Sequence, residues 1–319
     1  MCYSALIWQD YRQYVRHFGA VIGIKEYVAL FWARKDNPKL LIPKAMEASF
    51  AHPQTEDEAR IKALCDQFAA EQAFQFEQEI FAQKTRLAEA ERKLLVKETK
   101  GALESKRIAG NKIAQRMRWL EDLKRTEPRE ADSRIYPQFY APVMVMENGQ
   151  RVVKPMRYLL RRAGKPASED VTYSGGFNAR RDNLQKFWKG QFGYTHGVTV
   201  AQAFYENVNL HRVEGRELRE KEEVESVTLE FKPQPTQNML VACLWSRWTS
   251  PEGKELLSFA AITDEPPAEV SAAGHDRCII PIKPKNIDTW LNPNPKDLKA
   301  LYAILDDRER PYYEHRMAA

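Results

Sequence analysis

Cys2, the second residue of the chain, carries two nucleophiles on adjacent carbon atoms once the initiator methionine is removed. We expect that removal, because methionine is normally trimmed when a small side chain follows. The free α-amine then has a pKa of roughly 7.7–8.0, so near neutral pH it can attack an aldehyde and give a Schiff base. The neighbouring thiol can close a five-membered thiazolidine ring on the same carbon, which is an intramolecular step. This residue therefore suits covalent capture of an aldehyde.

Three later stretches carry side chains that suit the same chemistry. They are GGFNARRDN at 175–183, QAFYENV at 202–208 and GHDRCIIPI at 274–282. The Glu206 carboxylate can act as a general acid/base and as a counter-charge for an iminium ion. His275 titrates near neutral pH and can protonate a sugar-ring oxygen, and the Asn178 amide can orient an amine or hydroxyl group. The alternatives are a surface glutamate, a structural histidine and a turn asparagine.

In this order the four stretches resemble the SOS-response-associated peptidase (SRAP) family, proteins that crosslink to abasic sites in single-stranded DNA. The family's Asn-Ala-Arg, Phe-Tyr-Glu and His-Asp-Arg elements are matched at 178–180, 204–206 and 275–277. Shorter matches support them: Ala141-Pro142, Met156-Arg157-Tyr158 where the family has Met-Arg-Trp, CLW at 243–245 and TWL at 289–291. The resemblance covers the first few residues and most of 135–295.

The resemblance implies an abasic-site sensor whose thiazolidine crosslink shields the lesion during the DNA damage response. The catalytic residues it implies are Cys2, Asn178, Glu206 and His275. Arg180 is expected to hold a phosphate bidentately, Arg181 and Arg157 to extend that contact, and Tyr158 to offer a face for base stacking. Single-stranded DNA with an abasic site is the expected partner. No cofactor is implied, and the six histidines show no zinc-like spacing.

Two other functions remain open at this stage. A cysteine peptidase or self-processing hydrolase would use Cys2 with His275 as thiol and base. The other alternative is a binding or scaffold protein that has lost the crosslinking chemistry and whose long helical arm recruits a partner. It rests on Tyr3-Ser4 in place of Gly-Arg, on Asn207 in place of Trp, and on the helical insertion.

Composition sets wide limits. The 319 residues fit one large or two ordinary domains, and the formal net charge of +5 permits a nucleic-acid partner without requiring one. The four cysteines show no CxxC spacing, and no long apolar stretch indicates a membrane span. We expect a cytoplasmic, nucleoid-associated protein.

The segment 55–125 differs from the rest in its wealth of Ala, Glu, Lys, Gln and Leu. It predicts a helical hairpin or coiled-coil arm that starts with a Thr55/Glu58 capping box, with Gly101 and Gly110 as the places for a turn or kink. Its apolar face is expected to pack on itself or on the main domain, with dimerisation and a protein partner as alternatives. Its basic run is either a solvated face or a contact for nucleic-acid phosphates: Lys106, Arg107, Lys112, Arg116, Arg118, Lys124 and Arg125.

The remaining chain, 1–54 with 126–319, is expected to form one SRAP-like domain. Residues 7–35 suggest short helices broken near Gly19 and Gly23, and 289–305 suggests C-terminal helices. Between them, short strands are predicted: 135–146, 151–162, 197–208, 224–232, 239–248, 255–264 and 278–282. The predicted class is α+β, with a mainly antiparallel barrel or sandwich, flanking helices and the helical insertion.

Overall fold

The computed structural model of the chain describes residues 3–220 and 222–318. Its helices are α1 (Tyr11–Phe18), α2 (Ile24–Asp36), α3 (Lys44–Ala48), α4 (Glu56–Val96), α5 (Lys100–Lys124), α6 (Glu169–Thr172), α7 (Leu210–Val213), α8 (Ala268–Ala272), α9 (Ile287–Leu291) and α10 (Leu298–Asp306). Its strands are β1 (Ser4–Ile7), β2 (Val21–Ile22), β3 (Arg134–Ile135), β4 (Tyr140–Glu147), β5 (Gln150–Tyr158), β6 (Asn178–Arg180), β7 (His196–Asn209), β8 (Ser226–Gln234), β9 (Met239–Thr249), β10 (Glu255–Asp264), β11 (Cys278–Ile279) and β12 (Tyr312–Met317).

Five long strands close into a barrel. β10 pairs with β5, β5 with β4, β4 with β7, β7 with β9, and β9 returns to β10. All these pairs are antiparallel except β5 with β10. The other strands extend the sheet: β1 and β8 flank β7, β3 pairs with β1, β12 with β8, β6 and β11 with β10, and β2 with β5. The predicted α+β class with a mainly antiparallel barrel is confirmed.

Alternate residues of each barrel strand face opposite sides. In β9, Val241 and Cys243 belong to one buried cluster. Ala242 and Leu244 belong to a second cluster, which also contains residues of α1, α2, α9 and α10. The helices therefore cover the outside of the barrel, and the first cluster fills its interior.

The arm is a pair of antiparallel helices that packs on itself and on α2. Near the middle of the hairpin the Arg86 Nε donates to the Ser105 Oγ over 2.9 Å, and Lys106 pairs with Glu91 at 3.1 Å. Ala109 is fully buried between the helices. The expected self-packing is thus present.

Glu58 fastens the base of the arm to the rest of the chain. Its carboxylate accepts hydrogen bonds from the Tyr11 hydroxyl, from Arg12 at 2.8 Å and from the Gln54 backbone N–H at 2.8 Å. The Thr55 hydroxyl accepts from the Glu58 N–H, so the N-cap was predicted correctly. The Glu58 side chain, however, accepts from Tyr11 and Arg12 of α1 and from the Gln54 N–H, so it does not accept from the Thr55 N–H as a capping box requires.

The hairpin turns at Lys97–Thr99, so the prediction of a turn or kink at Gly101 or Gly110 was wrong. The Thr99 side chain accepts from the Ala102 N–H and starts α5 before Gly101 is reached. Both glycines lie inside a continuous helix, because the side-chain cap at Thr99 decides where that helix begins.

His196 is a buried histidine at the start of β7. Its ring packs on Trp290 with centroids 4.1 Å apart, and its Nε2 accepts a hydrogen bond from the Gly193 N–H at 2.9 Å. Burial lowers the pKa of His196 to about 3. Protonation would place a charge in the core and abolish the Nε2 acceptor, so the folded state holds this ring neutral.

We predict that His196 makes the protein less stable in acid. The unfolded chain binds the proton near pH 6.5 and the folded chain only near pH 3, so stability is present above pH 6.5 and falls as the pH drops below it, by roughly 1.4 kcal/mol per pH unit. Urea unfolding at pH 7 and pH 5 measures this loss, about 2 kcal/mol for His196 alone. The His196→Phe variant should lose that much less than wild type, and an equal loss in both would contradict the assignment.

Candidate active site

Glu206 lies near the end of β7 on the interior face of the barrel. Its neighbours at two-residue spacing, Phe204 and Val208, belong to the interior cluster. Its own exposure is 0%. Burying an ionised carboxylate so completely lowers the stability of the fold by several kcal/mol unless a proton or an opposite charge compensates it. A carboxylate in such a place is therefore a candidate functional group.

His275 supplies that compensation. Its Nε2 lies 3.1 Å from the Glu206 Oε2, and its Nδ1 lies 2.9 Å from the Arg277 backbone oxygen. A carbonyl oxygen only accepts, so we assign a hydrogen to Nδ1. The Nε2 lone pair and the carboxylate oxygen would then repel each other without a proton between them. A proton held between these two atoms would satisfy both, and passing such a proton to a reacting group is what a general acid/base does.

The turn after α8 presents this imidazole. Gly274 has a left-handed backbone with φ of 94°, which a side chain would strain, and the His275 N–H donates to the Val270 carbonyl. Burial lowers the pKa of His275, and the hydrogen bond to the Arg277 carbonyl offsets this only in part. The ring is therefore readier to give up a proton than an exposed histidine is.

Asn178 begins β6, where it stands opposite Ala261 of β10. Its amide is buried, and neither Oδ1 nor Nδ2 has a hydrogen-bond partner among the residues that the structure describes. It lines a cleft of about 480 Å³ together with Arg180, Lys186 and Arg277. An unsatisfied buried amide facing a cationic cleft is suited to a polar, anionic ligand.

The N-terminal strand enters beside this site. Ser4 pairs with Tyr205, the residue before Glu206, so β1 lies along the same stretch of β7. The Arg134 Nε donates to the Ser4 Oγ at 3.0 Å, and its guanidinium stacks 3.6 Å from the Tyr205 ring centre. Cys2 lies outside the described residues, so its predicted role remains a prediction.

The residues predicted to bind DNA lie in different surroundings. Arg180 reaches the cleft, is half exposed and holds Asp182 in a bidentate pair at 2.9 and 2.8 Å. Arg181 points elsewhere, toward Asp264 and Asp306.

Arg157 and Tyr158 are held within the fold. Arg157 is bound to Asp170 at 2.7 Å and is largely covered. The Tyr158 ring is 2% exposed and packs against Phe177 and Phe259, so in this conformation it presents no face to a base.

Sequence reasoning pointed to Lys186 as a possible extension of the phosphate contact, but it did not single out Arg277 and Arg134 as site residues. Arg277 stood within the His-Asp-Arg motif two residues after His275, a spacing that could have indicated it. Arg134 carries no local signal, because only the pairing of β3 with β1 brings it to the site.

In the described ranges no cluster of three or more His, Cys, Asp or Glu side chains could hold an ion. In the same ranges no helix is both long and apolar enough to cross a bilayer. Cys65, Cys243 and Cys278 are buried free thiols.

Comparison with known proteins assigns the family. The model of the SOS response associated peptidase (SRAP) family matches residues 102–317, about two thirds of the chain. The protein therefore belongs to the SRAP family, and the family supports a function related to DNA damage. The matched range includes most of α5, which the resemblance seen in the sequence did not cover, and it excludes the N-terminal strand.

Solved structures resemble the chain only distantly, and no curated protein matches it. A protein from Bordetella bronchiseptica is 17% identical with a TM-score of 0.46 and covers 59% of this chain and 87% of its own. A protein from Bacteroides thetaiotaomicron is 14% identical with a TM-score of 0.44, and the match covers 59% of this chain and 78% of the other. A phage-related protein from Bordetella bronchiseptica is 15% identical with a TM-score of 0.43, and the match covers 58% of this chain and 81% of the other. At this distance the likenesses carry no functional argument.

The Glu206–His275 contact predicts a coupled titration. Glu206→Gln removes the negative charge 3.1 Å from the imidazole, so the pKa of His275 should fall further below its ordinary value. NMR titration of the histidine ring carbons measures this, with exposed His315 as the internal reference. An unchanged or raised His275 pKa in the variant would show that no ionised carboxylate faces the ring.

Asn178→Ala should cost little stability. Removing the buried amide relieves two unsatisfied polar atoms, a gain of about 1–3 kcal/mol that offsets the loss of packing. We expect an unfolding free energy within about 1 kcal/mol of wild type by urea titration. A loss above about 3 kcal/mol would mean that the amide serves the fold instead of a ligand.

Proposed function

We propose that the protein captures abasic sites in single-stranded DNA by forming a thiazolidine between Cys2 and the lesion sugar, which shields the lesion from strand cleavage. The observation that carries the proposal is the buried Glu206–His275 pair beside the N-terminal strand. Cys2 is two residues from Ser4, so chain geometry keeps their Cα atoms within about 7 Å. The proposal requires the Cys2 amine and thiol to reach that pair.

The reaction balances without an oxidant or a cofactor. The Cys2 amine adds to C1 of the open-chain sugar and expels one water, which leaves an imine. The thiol then adds to the imine carbon, a C–S bond forms, and the thiol proton passes to the nitrogen. The Glu206–His275 pair can supply a proton to the departing hydroxyl and take it back, a lyase-like use of general acid/base catalysis.

The cleft supports recognition of the DNA strand. The Asn178 amide has two unused hydrogen-bonding atoms for sugar hydroxyls, and Arg180, Lys186 and Arg277 carry charge suited to phosphates. Arg180 is held by Asp182, an exposed acid that a phosphate can replace. On the same ground we propose a cytoplasmic, nucleoid-associated location, where single-stranded DNA arises.

Denaturing gel electrophoresis tests the proposal with an abasic single-stranded oligonucleotide. Native protein, shown by intact mass to lack Met1, should give a heat-stable shifted band, and Cys2→Ala none. Cys2→Ser retains the amine without the thiol, so only a reducible Schiff base should form. Glu206→Gln should slow crosslinking about 10²–10⁴-fold.

Cys65→Ala, which removes a buried thiol on α4, is the matched control and should crosslink normally. The absence of a band with native protein, or an equal band with Cys2→Ala, would sink the proposal. Reversible, salt-sensitive DNA binding without a covalent product would favour the scaffold alternative instead.

The peptidase alternative is supported by the name of the family and by the imidazole near the N-terminal strand. It requires the Cys2 thiolate to attack a peptide bond with His275 as its base. Intact-mass spectra that show loss of Met1 alone, together with no cleavage of peptide substrates, would exclude it. Loss of further residues that depends on His275 would support it.

A further inference from the structure

The distal part of the arm, residues 84–112, carries the whole charge excess of the protein. This arm tip comprises the last turns of α4, the turn and the first half of α5. It contains nine Lys or Arg against four Glu, a net charge of +5, which equals the net charge of the entire chain. The rest of the molecule is therefore neutral in sum, and the basic character is localised.

The charges of the arm tip are largely unused within the protein. Five lysines of the tip are exposed and form no ion pair with any residue in 3–220 or 222–318: Lys84, Lys93, Lys97, Lys100 and Lys112. Nearer the base the pattern reverses, since Arg116 pairs with Glu79, Lys124 with Glu77 and Arg125 with Asp132. The cations near the base are engaged in folding the arm, whereas these five lysines of the tip remain available to a ligand.

The base of the arm lies next to the strand that leads to Cys2. Arg125, which follows α5, holds Asp132 at 2.6 Å, and Asp132 lies two residues before β3. β3 pairs with β1, and its Arg134 donates to Ser4. From that base the 25 residues of α5 extend about 37 Å at 1.5 Å per residue. A strand bound at the candidate site therefore passes within reach of the arm.

We propose that the arm tip binds the phosphate backbone of the same DNA, away from the lesion. The proposal rests on the proposed function, because it assigns the second contact to the strand that the site engages. Phosphates of one strand are spaced at about 3.4 Å in a duplex and lie further apart in an extended single strand, so an arm of this length spans at most roughly ten of them. Scattered exposed lysines suit such a non-specific, salt-dependent contact.

A membrane surface fits this tip less well. An interfacial helix needs a broad apolar face opposite its basic face. The strongly exposed apolar side chains of the tip are few, with Leu95 and Val96 at 87% and 89% exposure beside the turn. The lysines of α4 and α5 are distributed around both helices, which suits a flexible polyanion that can wrap them.

The test measures binding of undamaged single-stranded DNA of about 40 nucleotides against salt, using the full chain. Lys93→Glu/Lys97→Glu/Lys100→Glu should weaken binding at least tenfold near 0.1 M salt. It should also make the slope of log K against log salt shallower by about two, at roughly 0.7 per lost phosphate contact. The triple Lys→Gln variant, which avoids acidic residues near the α4 C-terminus, should show a smaller change in the same direction.

The matched control is Lys25→Glu/Lys39→Glu/Lys254→Glu, which changes the net charge equally at exposed positions outside the arm. It should leave the slope within about half a unit of wild type. Equal affinity and slope for the tip variant and this control would overturn the proposal. So would tip-dependent retention on phosphatidylserine vesicles with unchanged DNA affinity.

Crosslinking of an abasic oligonucleotide of about six nucleotides separates the two proposals, because such a strand is too short to reach the arm tip. The tip variant should crosslink it as native protein does. If native protein gives no crosslink, the proposed function fails, while the salt slope on undamaged DNA still decides whether the tip binds phosphates.

Discussion

The contact between Glu206 and His275 is the constraint on which the site depends. A fully buried carboxylate is tolerable only with a compensating group, and here the compensation comes from a residue 69 positions further along the chain. The two meet because β7 and the turn before β11 lie at the same end of the barrel. Barrel closure through β9 and β10 fixes that meeting, so the fold itself sets the geometry of this contact.

The same closure determines what surrounds the pair. β10 carries β11 on one side and β6 on the other, which brings the Asn178 amide and the Arg277 guanidinium to one cleft. Unsatisfied polar atoms and exposed cations at one place are unfavourable for the isolated fold, and proteins keep such features where a ligand offsets them. The cleft therefore combines features that favour a ligand over the stability of the fold.

The N-terminal strand is held from both sides. Ser4 of β1 pairs with Tyr205 of β7, and the Arg134 guanidinium contacts the Ser4 side chain from the neighbouring strand β3. The arm precedes that strand in the chain, and Glu58 and Arg125 tie its two ends to the core. Strand β1 is thus held between β7 and the base of the arm.

The sequence by itself determined much of the class of the protein and several of its elements. Period-two patterns identified the long strands, helical spacing and Thr55 identified the arm, and short motifs identified Glu206, His275 and Asn178, because these signals are local. It missed β1, β2, β6 and β12, which are short strands without a pattern of their own. Only the tertiary structure decided that Tyr158 is buried, that Arg157 is tied to Asp170, and that Arg134 and Arg277 stand at the site. Burial and contact depend on which strands pair across the barrel, and strand pairing joins residues too far apart in the chain for local spacing to reveal.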